Sequence, residues 1–443
     1  MIFSIIFILL ISLGVGLPLV LLLIPKQHPV ATMASSYLIG IGLFTFAMFL
    51  VNLAGFRFSL VNESVLLFAI SAPLIFIKKK EVKEFFIHAF YLVKKAHFST
   101  VEKWCLGFLV FIGVSSLINT LYWPVSLWDS LVLYDFRAHI FAASGFMKEA
   151  FIDNYYTGYP LLTSLAHTIV YIMGGEYPQF LHSFFYLSLG AGFYGFLREF
   201  VSRKTSLFFT VILLIVEPLF YHSLISYTNL AYTVYLSLGA ICVYLWDKKK
   251  ERGYLIVSAL LVALSTWTRS VEPFWLGVFI VVFIVATYRK KFRDILTFTL
   301  FFFPIHEAWK VFQFSLTEKE ASTVGEIVGY AKIILSVFDP GRWLLVGEYL
   351  YTYVVTPWGT IFAVFIISTI LMLILRKLRK FFLSFFITFT LLGVLVLGTF
   401  AFSIGYAGTL AIGDAAKRLS MLFYPLFIFC IALVMQELVK IKK

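Results

Sequence analysis

Charge is scarce in this chain. Only 13% of its 443 residues are Asp, Glu, Lys or Arg, about half the share of an ordinary soluble domain. A chain so poor in charge, 61% hydrophobic and carrying 51 phenylalanines, cannot be wrapped around one soluble core. Cysteine is nearly absent as well. Cys105, Cys242 and Cys430 all lie in apolar runs, where a thiol behaves as a small hydrophobe, so neither a disulfide framework nor a thiolate metal site is expected. There is no P-loop, no Gly-rich dinucleotide turn and no HExxH pair, which argues against nucleotide sugars as substrates. No internal repeat is visible, whereas many transporters are built from repeated halves.

What is present is a succession of apolar runs near the 20 residues or so that cross a bilayer. They cover roughly 2–24, 34–53, 60–77, 104–121, 178–198, 206–226, 228–246, 254–268, 273–288, 294–311, 357–375, 381–403 and 419–437. The expected fold is therefore an all-α polytopic membrane protein, a bundle of about 13 transmembrane helices. The first run lacks a basic start and a small-residue cleavage site and reads as a helix rather than a signal peptide. Residues 161–174 are apolar but short.

The formal net charge of +13 admits nucleic acid as a partner until the charges are placed. Basic clusters fall between alternate runs: "KKKEVK" from Lys78, "REFVSRK" from Arg198, "DKKKER" from Asp247, "YRKKFR" from Tyr288, "RKLRK" from Arg376 and the terminal "KIKK". One face then holds 26 of the 36 Lys and Arg but 8 of the 23 acids, as cytoplasmic loops of a plasma-membrane protein do, and no nucleic acid is needed. The other, external face holds a loop over 122–160 and a second over 306–356. Keeping Tyr122 outside and Arg198 inside allows one net crossing between them, so 161–174 is expected to be re-entrant or a short helix pair, with a tilted ordinary span as the alternative.

The first external loop opens with "WDSLVLYDFRAH", residues 128–139. Residues 129–146 can form an amphipathic surface helix, with Leu133, Phe136, Ile140 and Phe141 on an apolar side and Asp135 with His139 at i,i+4 on another. Asp129 stands where a helix N-cap is expected. It also stands among Tyr122, Trp123, Trp128 and Tyr134, whose rings either desolvate it toward a proton acceptor or form an interfacial belt.

The string "WDSLVLYDFRAHIFAASG", followed by "DNYYTGYPLL", "SYTNLAYTVYLSLGAICVYLW" and "ALSTWTRSVEPF", resembles the GT-C type membrane glycosyltransferases. That group takes sugars from polyprenyl phosphates and includes the protein O-mannosyltransferases and lipid A aminoarabinose transferases. The resemblance covers about residues 104–437. It implies that 104–443 is the catalytic module and 1–103 an N-terminal extension of three helices with a basic cytoplasmic loop. Asp129 takes the position of the family's first essential acid, and Pro160 with Leu161 that of its helix opening. Ser130 stands where many members have Glu, and Asn229 where many have Asp.

Transfer of a sugar from a lipid phosphate to a hydroxyl needs a base for the acceptor proton and cations for the departing phosphate. Asp129 is the candidate base and Asp135 the reserve, unless Asp135 pairs with Arg137. Lys417 and Arg418 in "GDAAKRLSMLFYP" and Arg269 in "TWTRSVEP" are the candidate phosphate ligands. Against this, Arg269 can pair with Glu272, and Lys417 or Arg418 can bind lipid headgroups. Arg137, His139, Tyr156, Asn229 and Glu272 complete the candidate substrate-binding set. The "HEAWK" run from His306 reads as a polar helix end, and Trp343, Tyr349, Tyr351 and Tyr353 are available for sugar faces or for an interfacial belt. No cofactor is required; a divalent metal is possible, but the residue pattern does not support one. The expected activity is inverting glycosyl transfer on the external face, to a lipid, glycan or protein acceptor. A transporter or flippase of a lipid-linked sugar and a non-catalytic complex subunit are the alternatives.

Overall fold

The computed structural model describes residues 1–154, 157–269, 273–316, 338–406 and 416–441. Helices α1 (Ile2–Ile11) and α2 (Leu17–Leu23) run on through a π-helical turn as one apolar rod of 22 residues. Then come α3 (Pro29–Leu53), α4 (Leu60–Lys94) and α5 (Thr100–Tyr122). The short helices α6 (Phe136–Ser144) and α7 (Leu162–Ile172) precede α8 (Phe180–Leu197), α9 (Arg203–Leu214), α10 (Glu217–Ser223) and α11 (Thr228–Lys249). The remainder is α12 (Arg252–Thr268), α13 (Phe274–Tyr288), α14 (Phe292–Leu316), α15 (Pro340–Leu350), α16 (Thr356–Ile374), α17 (Phe382–Tyr406) and α18 (Phe423–Ile441).

Among the described residues ten helices are long and apolar enough to cross a membrane, or eleven if the bent pair α9–α10 is one span. This is the build of a multi-pass membrane protein. The expected count of thirteen is not reached by length, because α12 and α13 have 17 and 15 residues, about 25 and 22 Å at 1.5 Å per residue.

The middle of the bundle is made by α11 and α12, which are buried along nearly their whole lengths. Close helix approach is bought with small residues. A Cβ at Gly16 would lie 1.8 Å from the Ser36 carbonyl oxygen, and one at Gly195 would lie 2.5 Å from the Ala31 Cβ, so α3 can sit directly on the first rod and on α8. Residues 1–53 thereby share one core with the rest of the chain. Helices α4 and α5 leave most of their apolar side chains exposed, as helices facing lipid do.

The basic clusters converge on one end of the bundle. Arg203 Nε donates to Glu102 at 2.7 Å, Lys249 Nζ to Glu199 at 2.5 Å, Arg252 Nε to Asp294 at 2.9 Å, and Arg289 pairs with Asp247. A Ser99–Glu102 capping box starts α5 at this same end, satisfying helix-end N–H groups that have no other partner. At the far end, Gln179 Nε2 donates to the carbonyls of Trp123 and Pro124 at 2.7 and 2.9 Å. The entry to α8 therefore stands level with the exit of α5.

Helix α7 belongs to the far end entirely. It is preceded by Tyr159, whose carbonyl accepts from Arg137, and its C-terminal Val170 accepts from Ser4 at the start of α1. Eleven residues reach about 16 Å, too short to cross about 30 Å of hydrocarbon. The segment 161–174 is thus a single buried short helix, neither a tilted span nor a pair.

The second loop of this end is shorter than the expected 306–356. His306 to Leu316 continue α14, with His306 buried against Trp275 and Phe302, so the "HEAWK" run lies inside a helix and not at a polar end. Residues 340–350 are helical too, and 317–337 lie outside the described residues. Separation of the two ends gives a test. A single cysteine at Glu176 and one at Lys250, both exposed, should react with a membrane-impermeant maleimide from opposite faces, Lys250→Cys only after the cytoplasmic side is opened. Labelling of both from one face would contradict the two-ended arrangement.

Candidate functional site

The first loop is held at the far end by α6. Gly145 ends α6 with φ +80°, the left-handed conformation that favours glycine at a helix C-terminus. Its carbonyl accepts from Phe58 N at 2.8 Å and Asn52 Nδ2 at 2.9 Å, while Asn52 Oδ1 accepts from Met147 N. The residues before α6 form a π-helical turn over Ser130–Asp135.

Asp129 is not a helix N-cap. Its backbone is already helical and its side chain makes no capping bond, whereas an N-cap needs a non-helical residue whose side chain accepts from the first turn. Its carboxylate instead accepts a hydrogen bond from Arg418 Nη1 at 3.0 Å, bridging 289 residues of chain. The pair lines a cavity of about 430 Å³ together with Lys417, Glu217, Tyr221, His222 and Tyr227, within the usual volume of a small-ligand site. Arg418 also lies over the Tyr227 ring, 6.0 Å from its centroid. Asp129, Lys417 and Arg418 are thus brought together as expected from sequence, while Glu217, Tyr221, His222 and Tyr227 were not foreseen. Their signal was readable: Glu217 and His222 interrupt the apolar run 206–226, and the chain bends there by 71°.

The aromatic setting of Asp129 differs from the expected one. Tyr122, Trp123 and Trp128 are all more than half exposed, so they serve as an interfacial belt rather than a desolvating collar. Only Tyr134 is buried, donating or accepting a bond with Thr228 Oγ1 at 3.0 Å, and burial pushes its hydroxyl pKa up to about 12. Close by, Arg269 Nη1 donates to Asn229 Oδ1 at 2.8 Å. Lys417 and Arg418 share the cavity with the two acids Asp129 and Glu217 and with His222. Tyr156 and Glu272 lie outside the described residues. Trp343 stacks on Phe400 and Tyr349 on Tyr353, and none of these rings lines the cavity.

Asp135 and Arg137 form a separate centre. The expected amphipathic pattern holds in part: Leu133 and Phe141 are buried and His139 is exposed, but Phe136 is exposed and Asp135 and Arg137 are buried. Asp135 does not pair with Arg137. Its Oδ1 accepts from Tyr171 Oη at 2.5 Å and lies 3.0 Å from His167 Nδ1, and its Oδ2 lies 3.4 Å from His139 Nε2. Arg137 reaches the Tyr159 carbonyl at 2.9 Å and stacks over Phe151. Among the described residues no group of three His, Cys, Asp or Glu is arranged to hold a metal ion.

Compared with family models, known proteins and solved structures, the chain matches none. What the site does is therefore argued from its own geometry.

The Asp135 centre makes a measurable contribution to stability. Burial alone would raise its pKa, but the bond and charge of His167, then Tyr171 and His139, outweigh burial and hold it below the ordinary carboxylate value. A depressed folded-state pKa means that the stabilisation is complete above the unfolded pKa, about 3.9, and is lost as pH falls through the folded value. Melting of the purified protein should therefore change little with pH above about 5 and fall below about 4. Asp135→Asn should cost on the order of 3 kcal/mol and flatten that acid limb. An unchanged acid limb in the variant would remove Asp135 from the account.

Proposed function

We propose that this protein is a GT-C type glycosyltransferase that moves a sugar from a polyprenyl-phosphate donor to an acceptor hydroxyl at the external face of the membrane. One observation carries the reading: two carboxylates, two cations, a histidine and two tyrosines from three distant stretches of chain meet in a single cavity at the end opposite the basic clusters. The chemistry asks for that combination. Arg418 and Lys417 offer charge-assisted donors to the phosphate, Tyr221 and Tyr227 offer faces to a sugar, and Asp129 offers an acceptor for the hydroxyl proton.

The Asp129–Arg418 bond also gives an order of events. While paired, each group is partly neutralised by the other. A bound phosphate competes for the guanidinium, and the Asp129 carboxylate is then free to accept a hydrogen bond from the acceptor hydroxyl. Displacement from the face opposite the phosphate inverts the anomeric centre, with the C–O bond to phosphate breaking as the acceptor C–O bond forms and the proton passing to Asp129.

The test uses purified protein, radiolabelled polyprenyl-phosphate sugars and a panel of acceptors. Asp129→Asn keeps the side chain's shape but cannot take up a proton at neutral pH, so turnover should fall about a hundredfold or more with donor binding retained. Normal turnover in that variant would end its role as base. For the donor, Arg418→Ala should raise the donor KM well above that of Lys148→Ala, an exposed charge at the same end, because a contact in a pocket outweighs a solvated one. Equal values for the two would make Arg418 a headgroup anchor. Movement of the labelled lipid across vesicles without transfer would favour the flippase reading.

A further inference from the structure

Three buried histidines stand between the two centres described above. His167 on α7, His182 on α8 and His222 on α10 are each at most 6% exposed. His167 Nε2, His182 Nδ1 and His222 Nδ1 have no hydrogen-bond partner among the described residues. One orphaned nitrogen of this kind is ordinary, but three in neighbouring rings need a common explanation, because buried polar atoms are seldom left without a partner.

The rings are in sequence. His167 and His182 face each other edge-on with centroids 6.0 Å apart, a spacing that one water can bridge. His182 is within electrostatic reach of both His167 and His222, and His222 lines the cavity. At the other end, His167 Nδ1 is 3.0 Å from Asp135 Oδ1, and Asp135 Oδ2 is 3.4 Å from His139 Nε2. His139 is exposed and stacks on Tyr171. A hydrogen bond donated to the carboxylate places a proton on His167 Nδ1, and Nε2 is the ring atom without a partner among the described residues.

The neighbourhood is polar enough to hold water. Ser116, Thr120, Ser183 and Ser223 bond to one another through their hydroxyls at 2.7–2.9 Å, and Ser183 and Ser223 each adjoin one of the histidines in sequence. Thr163 Oγ1 and Ser164 Oγ on α7 are buried and without a partner among the described residues.

We propose that His222, His182 and His167 line a hydrated path that carries protons between the cavity and the outer surface, through Asp135 and His139. A proton taken up at one nitrogen of a ring is matched by one released from the other nitrogen. One therefore enters at His222, one leaves at His139, and the path ends with its original charge. In the catalytic reading, on which this use of the path rests, it removes the acceptor's proton from Asp129 while donor and acceptor close the cavity. The charged and titratable groups facing it are Asp135, Tyr171 and His139 at the outer end, and Tyr221, Tyr227, Glu217, Asp129, Arg418, Lys417 and Arg269 at His222.

The test has two arms. Solid-state NMR of the protein labelled with 15N-histidine in lipid bilayers should show magnetisation passing from water to the ring nitrogens of His167 and His182, with those signals assigned by their loss in single variants. Dry rings would overturn the proposal whatever the protein catalyses. In the transfer assay, His182→Phe should lower kcat by about tenfold or more with the donor KM unchanged. If that variant does not fold, His182→Gln, which can hold water but cannot pass a proton through a ring, takes its place with the same expected result. Normal kcat in a folded variant would leave a hydrated interior without a proton role and overturn the path. Absence of transfer by the wild-type protein would count against the glycosyltransferase reading alone, because the NMR arm is read independently of it.

Discussion

Charge has to be paired or delivered to water when a chain is immersed in hydrocarbon, and the remainder of this fold follows from where that is possible. At the basic end, pairs such as Arg203–Glu102 and Arg252–Asp294 connect the starts of successive hairpins. In each the acid is buried and the cation half-buried or exposed, so breaking the pair would leave a buried carboxylate without its partner. Their effect is to fix which helices are neighbours. At the far end the same requirement builds chemistry, because the acids and cations there come from distant parts of the sequence and are turned inward.

The two aspartates of the first loop show how environment separates roles. Asp129 is more than a third exposed and faces the cavity beside Arg418. Asp135 is enclosed by His167 and Tyr171, partners that belong to the protein and leave only on unfolding. Six residues apart, one is placed to respond to a ligand and the other to hold a fixed orientation.

Much of this was legible before any coordinates. The apolar runs coincide with helices, and the alternate basic clusters do share one end. Asp129, Lys417, Arg418, Arg269 and Asn229 were singled out, and the first three share a cavity while the last two bond to each other. What escaped was of three kinds. His167 and Tyr171 lie on the short apolar segment expected to be re-entrant or a helix pair, and only tertiary packing brings them to Asp135. Glu217 and His222 were visible in an apolar run but were read as part of a straight helix, since a 71° bend leaves no mark in hydropathy. Arg137 failed for a third reason. A surface helix is expected to turn its charges outward, and here a carbonyl and an aromatic face inside the bundle satisfy a guanidinium that would otherwise be costly to bury.

The bend at Glu217 and the shortness of α7 have a common cause. A broken helix exposes backbone groups that lipid cannot satisfy, so it persists only where protein or a polar cavity covers it. The α9–α10 bend opens onto the cavity holding Asp129 and Arg418, and α7 is covered by α3, α6 and the first rod. The two irregular elements are joined through α8, which carries His182 between them. Straightening either one would restore a regular span at the cost of the cavity wall or of the partner to Asp135. The bundle's irregular backbone is therefore inseparable from its buried polar groups: each exists where the other makes it tolerable.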